Sequence, residues 1–174
     1  MRFLTFVFLG AAVCVTVAGC GSSEPNVRDA GASTAGNEQY LATQPPDQSI
    51  AVGEAVGQVQ DGDRAALVGI IGGSRQPFVD GLAAFTMVDP KVPYCAADEG
   101  CPTPWDYCCT QDQVKGNIAT VKVVDDAGAP VPQDARQLLG VEELTEVVAT
   151  GTVRRDDDGN LTLDAEQVFV KDRQ

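Results

Sequence analysis

Five stretches of the chain cluster or alternate apolar residues as β-strands do, and each ends at a turn signal. Residues 65–73 (AALVGIIGG) run into paired glycines. Residues 83–88 (AAFTMV) are closed by Asp89-Pro90, and residues 119–124 (ATVKVV) by Asp125-Asp126-Ala127-Gly128. Residues 146–153 (EVVATGTV) and 161–170 (LTLDAEQVFV) flank Asp157-Asp158-Gly159-Asn160. That tetrapeptide is a hairpin signal because Asp, Gly and Asn tolerate positive φ. One segment departs from the pattern. Residues 134–140 (DARQLLG) carry helix formers, follow Pro132 and end on a glycine suited to a helix C-cap.

Three strands, a short helix and two strands is the element order of the OB-fold, a five-stranded Greek-key barrel with a helix plugging one end. Gly69 and Gly151 fall inside strands, where a small barrel must bend. The segments LVGIIGG, VVATGTV and DGNLTLDAEQVFV resemble those of bacterial OB-fold domains. The expectation is an all-β domain with one short helix over residues 55–174, OB-fold-like, with an insert at 89–113 between its second and third strands. An open β-sandwich is the alternative that strand propensity leaves standing.

The start of the chain has a different pattern. Met1-Arg2 precede an apolar run over residues 3–15, and Val17-Ala18-Gly19-Cys20 follows. A basic n-region and an apolar h-region make a secretory signal, and the run is shorter than the roughly 20 residues a membrane-spanning helix needs. VAGC resembles the lipobox of bacterial lipoproteins. The resemblance implies that residues 1–19 are removed and that Cys20 carries diacylglycerol and fatty acyl chains such as palmitate. It places the protein in the cell envelope, anchored to the membrane. Gly21 in place of Asp favours the outer membrane. Residues 20–54 are then the lipidated cysteine and a tether. Residues 21–50 are rich in Gly, Ser, Ala, Thr, Asn and Pro and poor in large apolar residues, too few to offset the entropy of ordering.

Charge narrows the partners. The chain has 12 Lys+Arg against 25 Asp+Glu. Losing Arg2 with the signal leaves 11 against 25, a mature net charge of −14 with a blocked amino terminus. That balance argues against nucleic acid as a partner. The absence of histidine removes Ser-His-Asp and Cys-His catalysis and His-ligated metals. No catalytic residue and no cofactor is expected.

The insert DPKVPYCAADEGCPTPWDYCCTQDQ holds Cys95, Cys101, Cys108, Cys109 and the only tryptophan, Trp105. In an oxidising envelope two disulfides are the first expectation, joining each of Cys95 and Cys101 to one of Cys108 and Cys109. A metal shell of all four cysteines is the second, although the spacing lacks paired CxxC knuckles. A redox pair is the third, and it lacks CxxC. The string PTPWDYCC resembles one in small bacterial lipoproteins with OB-like domains, and no function comes with that resemblance. Trp105 and Tyr107 are read first as a cover for the barrel end, with a binding surface as the alternative. The acidic run Asp156-Asp157-Asp158 reads as a hairpin tip. The resulting expectation is an anchored, non-catalytic binding or assembly module, its partner another envelope protein or a small ligand. An oligonucleotide- or oligosaccharide-binding domain and a cysteine-ligated metal or redox protein are the alternatives.

Overall fold

The computed structural model describes residues 37–171. The signal, Cys20 and the first part of the expected tether lie outside the described residues. The elements are β1 (Ile50–Ala51), α1 (Val52–Gln58), β2 (Arg64–Ile71), β3 (Ala84–Val88), α2 (Gln111–Val114), β4 (Ile118–Val123), α3 (Ala135–Leu139), β5 (Glu146–Arg155) and β6 (Leu161–Val170). Short 3-10 turns lie at Glu38–Tyr40, Ala97–Glu99 and Pro104–Asp106.

Five strands close on one another. β2 pairs antiparallel with β3 on one edge and β5 on the other, β3 pairs antiparallel with β4, β4 runs parallel to β6, and β6 pairs antiparallel with β5. This ring, with α3 between its third and fourth strands, has the OB-fold order. The inward residues form one core, including Leu67, Ile71, Phe85, Met87, Val121, Val147, Val153 and Leu163, all fully buried. Gly151 sits at a bulge where β5 slips against β6, and a Cβ there would run into the backbone carbonyl of Asp164. α3 closes the core with Ala135, Leu138 and Leu139. Asp134 caps its start by accepting from the Arg136 N–H, and Gly140 ends it at φ 67°.

Two sequence expectations change. Residues 37–54, read as tether, are part of the domain. Tyr40 is buried, the Ala42 N–H donates to the Val168 carbonyl, and β1 lies parallel to β2 with Ile50 opposite Leu67 and Ala51 opposite Val68. β3 pairs with β2 only at Ile70 and Ile71, so β1 occupies an edge that β3 leaves free. The domain also has three short α-helices among the described residues rather than one. α1 buries Val52 and Ala55 in the core. No helix among the described residues is long and apolar enough to cross a membrane.

Candidate metal centre

The insert leaves β3 at Asp89, and a carboxylate holds its first turn. Asp89 is 2% exposed; it accepts from the Gly53 N–H at 2.7 Å and the Lys91 N–H at 2.9 Å. Val92 then enters a small second core with Val88, Tyr107, Val114 and the half-buried Ile118. This core fixes the insert at both ends. The middle lies on the glycines that end β2. The Gly73 N–H donates to the Trp105 carbonyl at 2.8 Å, and a Cβ on Gly72 would fall 2.6 Å from that same oxygen. Only a residue without a side chain lets the insert approach so closely.

The turn carrying the last two cysteines is built around Asp106. Its carboxylate accepts from the Thr103 hydroxyl at 2.7 Å and the Cys108 N–H at 2.9 Å, and the Thr103 hydroxyl holds its pKa below the usual carboxylate range. The Gln111 side-chain amide donates to the Asp106 carbonyl. Tyr107 follows in the left-handed region at φ 55°. That turn sends its ring inward and leaves Cys108 and Cys109 exposed. Across from them, Thr110 donates to the Pro93 carbonyl at 2.9 Å, and Glu99 accepts from the Ala96 N–H at 2.6 Å next to Cys95.

These supports bring four sulfurs together. Cys95 Sγ lies 3.4 Å from Cys108 and 3.8 Å from Cys109, Cys108 lies 3.4 Å from Cys101 and 3.7 Å from Cys109, and all four fall within 4.8 Å of one another. The two expected disulfides are not formed: all four cysteines are free. Cys108 is equally near Cys95 and Cys101, so no pair is singled out. Proton sharing sets the thiols apart. Hydrogen bonds from Cys101 and then Cys108 push Cys95 down, whereas Cys95 pushes Cys101 up to about 11 and, with Cys101 and Cys109, pushes Cys108 up. Of these three, Cys95 gives up its proton most readily, and ionisation of Cys101 and Cys108 is opposed without a cation.

The binding-surface alternative for Trp105 and Tyr107 meets a different arrangement. Tyr107 is wholly buried and presents no surface. Trp105 is half-buried and donates from its indole N–H to the Arg75 carbonyl at 3.2 Å. Tyr94, set edge-on to Tyr107 at 6.3 Å, is the insert's exposed aromatic, 44% accessible. The sequence offered no signal that separates it from the insert's other aromatics, Trp105 and Tyr107.

No family model matches the chain, and no curated protein does. Among solved structures, the chain is similar to the hypothetical protein ygiW from E. coli, with 16% identity, a TM-score of 0.39, 73% of this chain covered and 94% of that one. It is also similar to a putative aspartyl-tRNA synthetase from Leishmania major Friedlin, with 8% identity, a TM-score of 0.37, 75% of this chain covered and 22% of that one. Likenesses this weak carry no functional argument. The strand order and pairings make the fold OB-like.

Proposed function

We propose that this chain is an envelope lipoprotein anchored through Cys20, whose OB-type domain is a non-catalytic module for binding or assembly with another envelope protein or a small ligand. The observation that carries it is the ordered insert: residues 89–113 are packed onto one end of the ring and leave Tyr94 exposed there. Loops of that length are uncommon in compact domains, and those that are not disordered are usually functional. The lipobox and the absence of histidine support the anchor and the lack of catalysis.

Two measurements test it. Replacing Cys20 with Ser should abolish lipid attachment and shift the protein out of the membrane fraction; a variant that is still processed and stays in the membrane overturns the anchor. Chemical cross-linking in intact cells should trap the chain in a larger species that Tyr94→Ala diminishes. If both forms run as an uncross-linked monomer, the assembly reading fails.

A further inference from the structure

The geometry points to a closed four-thiolate shell, formed by Cys95, Cys101, Cys108 and Cys109, that binds one zinc ion and clasps the insert on the OB ring. A zinc ion bound by four thiolates at roughly 2.3 Å in tetrahedral geometry sets neighbouring sulfurs about 3.8 Å apart. Four of the six sulfur separations here lie between 3.4 and 3.8 Å, and the other two are no more than 4.8 Å. A disulfide framework would instead give two pairs at about 2.05 Å, with partners distinguished from non-partners. Cys108 has three sulfur neighbours within 3.7 Å, which pairwise bonding cannot use and a tetrahedral shell requires.

The donor set fits a soft, tetrahedral ion and leaves no open position, the hallmark of a structural rather than a catalytic site. Binding releases the protons of the four thiols and leaves every sulfur oxidation state unchanged, so no oxidant or reductant is needed. The shell carries two negative charges after the ion's two positive ones are counted. Cys101 is partly exposed and Cys108 and Cys109 are exposed, so an ion can enter without unfolding the ring. Asp106 and Thr103 act from behind the ligands: they fix the Cys108 N–H and with it the direction of two adjacent sulfurs. This site stands independently of the anchoring proposed above, since its residues all lie within the domain.

The test uses the full chain, extracted in detergent and kept from chelators. Native mass spectrometry should show one zinc ion per chain, and denaturing mass spectrometry after alkylation should count four reactive thiols in the insert. Cobalt(II) added to the chelator-stripped protein should give the thiolate charge-transfer and visible ligand-field bands of a tetrahedral site. Cys101→Ser should weaken zinc binding by more than roughly 100-fold, the upper range for losing a mere outer-shell partner. The same variant should retain the strand circular dichroism, because the strands lie outside the insert. A polypeptide lighter by four hydrogens, without metal, overturns the proposal in favour of two disulfides. Four free thiols that take up neither zinc nor cobalt overturn it as well. Asp106→Asn gives a second reading: it leaves all four sulfurs and should lower affinity by about 10–100-fold, and an unchanged affinity removes Asp106 from the support of the site.

Discussion

At the scale of single residues, Tyr107 combines three demands. It turns the chain at φ 55°, fills the small core under the cysteine turn, and buries a hydroxyl that has no hydrogen-bond partner among the described residues. A buried donor left unpaired costs about 1–3 kcal/mol. Tyr107→Phe keeps the ring and removes that cost, so it should raise stability by about 1 kcal/mol or more, read as a higher denaturant midpoint at unchanged slope. Burial, and then Tyr94, push the phenol up to about 12 from 10. The folded chain therefore holds this proton more tightly than the unfolded one. Its contribution is fully present below about pH 10 and is lost as pH rises to about 12. The advantage of the Phe variant should widen over that window; a constant difference would place the hydroxyl in water. Tyr107 also shows how far a single residue is legible. Its aromatic character announced packing at the end of the ring, but the left-handed turn beside two cysteines belongs to neighbours that only the fold assembles.

At the scale of elements, the five ring strands and α3 were readable because each carries its signal locally. Residues 146–153 alternate around Gly151, and Asp157-Asp158-Gly159-Asn160 turns the chain at Gly159 with φ 81°. Asp156 then ties the tip by accepting from the N–H groups of Asp158 and Asn160, as the hairpin reading of that acidic run expects. α1 was not readable. Val52–Gln58 contains Gly53 and Gly57, each costing about 1 kcal/mol in a helix, and its two core residues, Val52 and Ala55, make too short a stripe to register. Its support comes from far along the chain. Asp89 receives the Gly53 N–H at 2.7 Å, and the Arg155 guanidinium donates to the carbonyls of Val56 at 2.6 Å and Val59 at 3.1 Å, with Ala55 at 3.3 Å. A cation on the last carbonyls of a helix also meets the negative end of its dipole. Arg155→Ala should cost about 2 kcal/mol, and amide exchange in α1 should speed up before exchange in β4 or β6 does. Uniform acceleration across all elements would show that Arg155 supports the ring as a whole instead.

At the scale of the whole molecule, charge decides what the OB fold is able to meet. Oligonucleotide binding on this fold needs a positive groove that follows the backbone and aromatic platforms for the bases. The balance of 12 basic to 25 acidic side chains along the chain opposes the first, and several of the basic groups are already paired. Arg64 is bound to Glu166 at 2.7 Å, Arg154 to Asp164 at 2.8 Å, Arg136 to Asp134 at 2.7 Å, and Lys171 to Glu146 at 2.9 Å. Such surface pairs add little stability, but they cancel the positive field a phosphate would seek. A thiolate shell holding zinc would add two further negative charges at the insert end. We expect no binding of single-stranded DNA or RNA at micromolar concentration, even at low ionic strength where attraction is strongest. The measurement is a titration followed by fluorescence anisotropy across a salt series. Binding that weakens steeply as salt rises would overturn the expectation, because the slope counts phosphates neutralised by the protein. Weak binding independent of salt would be read differently: it would come from stacking on the exposed Tyr94, and Tyr94→Ala should then remove it. The fold's order of strands is thus shared with nucleic-acid readers, while the ligand is set by the charges and aromatics placed on it.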